Sequence, residues 1–259
     1  MAIHEVHPPG GPVHGWKDFL IHIVTITIGL LIAVGIEQAV EYFHHRHERH
    51  SLEEQMRVVF ESDLREDANS LRNLRARREY LAELRVAINA RLAGDATVPA
   101  PSPNDPRMAQ YVIFASLAPY EAAKQNGTIA WLPVERMRIY NRVSFARDLQ
   151  AAVRDHWFEG LAALESFHEK FVDSRDALAM GGTSVGPDLD RLSPADLNTY
   201  LGLVATAIKR GDTLSARIEL FDFEVRTVLD GVRDEEELVA KMVKKSGAIN
   251  APGHVPAGR

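Results

Sequence analysis

The residues best suited to chemistry lie close together. Glu41, His44, His45, His47, Glu48 and His50 all fall within ten positions. Imidazole and carboxylate groups are ligands for zinc and other divalent ions. His44 and His47 are three apart and His44 and Glu48 four apart, so on a helix each pair shares a face. His44, His47 and Glu48 are therefore candidate metal ligands. Ligands on one helix make only half a site, and without an H-E-x-x-H arrangement a metal enzyme is poorly supported. The competing reading is an interfacial segment whose weakly basic rings meet lipid headgroups.

The other charged groups have simpler readings. Arg72, Arg75, Arg77 and Arg78 form the densest basic run, which suits nucleic acid or anionic lipid. Interleaved Glu79 and Glu83 instead suggest a solvated helix face. Asp230, Asp234, Glu235, Glu236 and Glu237 suit a cation, but acids at a helix start are explained by the helix dipole. His156 and His168 sit among apolar residues, beside Trp157 and Phe167; haem or proton transfer is one use, an ordinary hydrogen-bonded core histidine the plainer one. Gly181–Gly186 is glycine-rich but lacks the Gly-Lys-Ser/Thr ending of a P-loop. No catalytic motif emerges, and no cofactor is expected.

Composition narrows the classes further. The chain has 259 residues, a net charge of -6 and no cysteine. An acidic balance argues against a nucleic-acid partner, which calls for a basic excess. Lack of cysteine excludes disulfides and thiolate chemistry. Hydrophobic residues at 46% and charged residues at 25% are ordinary globular values, so any membrane segment must be local.

One such segment is evident. Phe19 to Ile36 reads FLIHIVTITIGLLIAVGI, with His22 the lone ionisable group, and the apolar character reaches Val40. At about 1.5 Å per residue, Phe19 to Val40 makes about 33 Å of helix, against a hydrocarbon core of about 30 Å. Trp16 at one end and Tyr42 with Phe43 at the other suit the headgroup level. Ala33-Val34-Gly35 resembles a signal-peptidase site, but the preceding region is weakly basic and the helical pattern runs on past it. Lys17 on one side against Arg46, Arg49 and Arg57 on the other puts the C-terminal domain in the cytoplasm. His22, Thr25, Gly29, Ala33 and Glu37 share a stripe about 120° wide, a face suited to close helix packing. The expected partners are the lipid bilayer and, through this stripe, a second copy or another membrane protein.

The rest of the chain must be helical. Ser51-Leu52-Glu53-Glu54 has the form of a capping box, which either restarts the helix or sits inside one rod. Leu52, Met56, Phe60, Leu64, Leu71, Leu74, Leu81, Leu84, Ile88 and Leu92 keep an apolar face up to Gly94. Gly94 to Pro106 holds four prolines and reads as a loop. Two short helices interrupted at Pro119, a turn at Asn126-Gly127 and a buried link at Ile129 to Leu132 follow. Pro133 opens a long helix with Leu149, Val153, Trp157, Leu161, Leu164 and Phe171 inward. Ser193-Pro194-Ala195-Asp196 starts the next, whose face runs from Leu197 to Val228. A short helix from Asp234 and a disordered tail from Ser246 complete the chain.

The expected fold class is all-α, a single N-terminal transmembrane helix followed by an antiparallel helical bundle. Its parts are a tail (1–16), anchor (17–43), juxtamembrane and first long helix (44–93), loop (94–106), remaining bundle (107–245) and tail (246–259). Trp16-Lys17-Asp18-Phe19, His22, Thr25-Ile26, Gly29 to Ala33, Glu37 and His44-His45-Arg46-His47, with Tyr120 to Ala123 and Asn126 to Ala130, resemble a group of uncharacterised bacterial single-pass membrane proteins. The resemblance implies an inner-membrane location and an all-α domain, and brings no activity. Two functional readings remain: a membrane-tethered interaction or sensory-adaptor module, and a ligand- or metal-binding domain, enzymatic or not, with its site between bundle helices.

Overall fold

A computed structural model of the chain describes residues 15–102, 105–108, 117–171 and 186–249. Every regular element among them is helical: α1 (Trp16–Leu92), α2 (Ala118–Asn126), α3 (Val134–Glu169), α4 (Pro194–Leu229) and α5 (Glu235–Ile249), with 3-10 turns at Thr128–Trp131 and Leu189–Arg191. Residues 109–116, the glycine-rich 181–185, and the tails before Gly15 and after Ile249 lie outside the described residues.

The chain divides into two compact units, Met1–Ser51 and Leu52–Arg259, and the division falls inside α1. Over its 77 residues α1 contains no proline and only two glycines, Gly29 and Gly35, so nothing breaks the backbone ladder. Ser51 to Glu54 therefore lies inside α1 rather than at a helix start. In the first unit α1 carries the apolar segment, long and apolar enough to cross a membrane and wholly uncovered. The Trp16 and Phe19 rings lie 5.6 Å apart at one end, and those of Tyr42 and Phe43 5.8 Å apart at the other.

In the second unit α1 ends at Leu92, and Gly94 follows with φ 81°, the left-handed conformation that stops helices and favours glycine. Pro119 stands in the first turn of α2, where its missing N–H is no loss; the short helix expected before it falls on residues 109–116, outside the described residues. Ser193 caps α4, its Oγ accepting the Asp196 N–H at 3.2 Å. The last helix runs to Ile249, so Ser246–Ile249, expected in the disordered tail, is helical. Gly247 costs a helix only about 1 kcal/mol, too little to end it.

Residue pairs fix the directions. Arg210 donates to the His156 carbonyl at 2.8 Å and Arg217 to that of Ala146 at 2.9 Å, so α3 and α4 are antiparallel. Arg78 reaches Asp212 at 2.7 Å and Arg91 reaches Asp190 at 2.6 Å, which sets α4 against α1 as well. Phe60 lies against Tyr140 and Arg77 over Trp157, so α1 and α3 run the same way. The return is made between Gly94 and Pro133.

Among the described residues three apolar clusters form the interior of the unit. Leu52, Met56 and Phe60 of α1 meet Tyr140, Phe221 and Met242 in the first. Tyr80 to Ile88 meet Phe167, Tyr200 and Val204 in the second. Leu74, Trp157, Leu214 and Ile218 form a small third. Two positions expected to face the core of this helix are corrected: Leu149 is 42% exposed, and Phe171, 40% exposed, lies beyond the end of α3. The buried face instead passes through Ile139, Val143, Ala146, Arg147, Gln150 and Trp157. The helical step back from Trp157 falls on Gln150, and a face drawn through apolar residues alone slips off it.

Candidate functional site

On α1 the buried stripe follows steps of three and four: Met56, Phe60, Asp63, Asp67, Ser70, Leu74, Arg77, Leu81, Leu84 and Ile88. Its polar middle meets Arg147 and Gln150 of α3, both buried, and Asp222 of α4. The apolar surroundings come from Phe60 and Phe221 in one cluster and from Leu74, Trp157, Leu214 and Ile218 in another. An ionic group thus sits in the interior, between three helices.

Arg147 is its centre. One guanidinium nitrogen lies 3.4 Å from Asp63 and another 3.8 Å from Asp67, too long for strong paired hydrogen bonds. The latter also donates to the Gln150 side-chain carbonyl at 3.3 Å, and the Gln150 amide donates to Asp67 at 3.5 Å. The guanidinium lies 4.9 Å from the Phe221 ring centre. Both oxygens of Asp63, Oδ2 of Asp67 and Oδ1 of Asp222 are buried without a hydrogen-bond partner. Burial disfavours the ionised form where solvation is not replaced. It pushes the Asp63 carboxyl up to about 6 against the pull of Arg147. Asp67 is raised for the same reason, again opposed by Arg147. Asp222 goes up to about 8, through burial first and then the adjacent Asp67.

A second ionic group adjoins on α3 and α4. Glu224, 2% exposed, lies 3.1 Å from Nε of Arg142. Burial raises its pKa, against the pull of Arg142 and Arg217. Farther along, buried His168 faces the Tyr200 hydroxyl, and burial pushes the imidazole down to about 4.

The sequence candidates fare differently. His44 Nε2 lies 3.2 Å from Glu48 and His45 Nε2 3.9 Å from Glu41, each one helical turn apart. His47 is exposed on the same helix. Among the described residues no three histidine, aspartate or glutamate side chains are placed to hold a metal ion. In the apolar segment Thr25 donates to the Ile21 carbonyl at 2.8 Å, and a Cβ on Gly29 would meet nothing within 4 Å. His22, Ala33 and Glu37 are likewise exposed. His156 pairs with Glu159 at 3.0 Å on the surface. The arginine run is not wholly a solvated face: Arg77 is 8% exposed, lies over Trp157 at 5.1 Å and donates to the Met108 carbonyl.

Asp63, Asp67, Arg147, Gln150 and Asp222 were not among the sequence candidates. The available signal is a gap in the α1 apolar stripe, where helical steps from Phe60 to Leu74 land on Asp63, Asp67 and Ser70. Asp63 to Asp67 is one turn, and a polar turn in an otherwise apolar stripe asks for a buried partner. Comparison of the chain with protein-family models, curated proteins and solved structures finds no match.

Proposed function

We propose that this protein is a membrane-tethered helical interaction or sensory-adaptor module. The observation that carries the reading is on α1: its apolar segment is wholly uncovered, and the same helix continues into a packed helical unit. Uncovered apolar surface of this extent is costly in water and favourable in hydrocarbon. The resemblance at the N-terminus supports a bacterial inner membrane, and the Lys/Arg bias supports a cytoplasmic C-terminal domain.

The partners that fit are the bilayer and, through His22, Thr25, Gly29, Ala33 and Glu37, another membrane helix. Alkaline carbonate washing of membranes tests the tether. The full chain should remain with the membrane, and a chain beginning at Leu52 should be released. Full-length release, or mature protein that begins at Ile36, overturns the reading. A reporter fused after Arg259 tests the side.

A further inference from the structure

We propose that Asp67 and Asp222 share one proton across the α1–α4 contact, and that its loss at alkaline pH loosens that contact, making the buried ionic group a proton-operated latch. The proposal concerns the Leu52–Arg259 unit alone and stands whether or not the chain is held in a membrane.

Charge counting supports it. Asp63, Asp67 and Asp222 face one buried guanidinium, that of Arg147, so full ionisation leaves an excess of two negative charges in an apolar surround. Glu66 on α1 adds repulsion, and Arg226 on α4 attracts. Gln150 of α3 carries no charge. On α5 Lys245 lies 5.8 Å from the Phe223 ring centre. Arg226 is exposed and offsets one charge at most, so even with it full ionisation leaves unbalanced negative charge beside Arg147.

Hydrogen bonding gives an independent argument. The Asp67 and Asp222 carboxyl groups act on each other across the α1–α4 contact, and two carboxylates are both acceptors. Oδ2 of Asp67 and Oδ1 of Asp222 have no donor from the protein. One proton on either residue supplies that donor and removes one charge, meeting both demands at once. Two carboxyl groups sharing a site hold their last proton tightly for the same reason. When the proton passes to bulk water, the attraction between α1 and α4 at this level becomes repulsion. Their apolar contacts on either side, at Phe60 with Phe221 and Leu74 with Leu214, then hold alone.

The test uses the full chain in detergent. Infrared spectra are taken from about pH 6 to about pH 9.5, and the separation of spin labels at Val58→Cys on α1 and Thr213→Cys on α4 is followed over the same range; the cysteine-free sequence makes the labelling specific. A protonated-carboxyl C=O band should persist at neutral pH and fade as the label separation lengthens or broadens. In Asp222→Asn that band should be much weaker at neutral pH, reduced to what Asp63 retains, and the separation constant. If Asp222→Asn does not fold, Asp67→Asn replaces it. Absence of the neutral-pH band in the unsubstituted carboxyl background overturns the proposal, as does fading of the band without any change in separation, or a band unaltered in the asparagine variant.

Discussion

Nε2 of His168 and the hydroxyl of Tyr200 lie 2.8 Å apart, both side chains almost wholly excluded from water. The imidazole cannot ionise cheaply there, and burial holds it down at about 4. Below an unfolded value of about 6.5, the unfolded chain binds a proton that the folded one refuses. Stability should therefore fall as pH drops from about 6.5 towards 4, and His168→Gln should flatten that slope in urea unfolding followed by circular dichroism. Tyr200→Phe strands the ring nitrogen and should cost about 1–3 kcal/mol at neutral pH.

The Asp63–Arg147 relation has the opposite sign. A carboxyl held up at about 6 binds its proton better folded than unfolded, so its stabilisation is complete below about pH 4 and lost as pH rises through about 6. Asp222, with a higher value, extends the loss through about 8. Asp63→Asn should consequently be less destabilising at pH 8 than at pH 5, or stabilising there. Arg147→Met should do the reverse. Removing the cation of this buried group costs about 3–5 kcal/mol when the carboxylates are ionised, and much less at pH 5. Denaturant midpoints of both variants at the two pH values check this.

Helix termini and the apolar segment were legible because each rests on local chemistry: Ser193 and Pro194 at the start of α4, Gly94 after α1, eighteen residues from Phe19 to Ile36 with one ionisable group. The interior was legible where it is apolar. It failed where the buried face is polar, because a reading built on apolar spacing moves to Leu64 and Leu71 rather than through Asp63, Asp67 and Ser70, and to Leu149 rather than Gln150. No local signal reports that Arg147 lies opposite Asp63. That pairing depends on α1 and α3 running the same way, which the long return from Gly94 to Pro133 decides.

Gly160 and Gly211 face each other's helices and should respond differently to alanine. A Cβ on Gly211 would lie 3.6 Å from Nε1 of Trp157, an ordinary contact, whereas one on Gly160 would come within 2.9 Å of Cδ of Arg210. Alanine gains up to about 1 kcal/mol over glycine in a helix. Gly211→Ala should keep most of that gain and raise the melting temperature. Gly160→Ala should lose it, because Arg210 must shift and give up its bond to the His156 carbonyl. Thermal melts of the two single variants give the comparison.

Gly29 tests the proposed contact with a second membrane helix. The position has open space around it and lies at the centre of the stripe formed with His22, Thr25, Ala33 and Glu37. Leucine there is as compatible with lipid as glycine, so membrane retention should not change. It should, however, keep a second helix from approaching closely, since small residues are what permit backbone contact between membrane helices. Crosslinking in native membranes should give oligomers with the unsubstituted chain and at least several-fold less with Gly29→Leu, while Leu30→Ala on the flank leaves the yield unaltered. Equal crosslinking in all three would assign the stripe to lipid contact alone, because a face buried against another helix cannot accept the added side chain without separation.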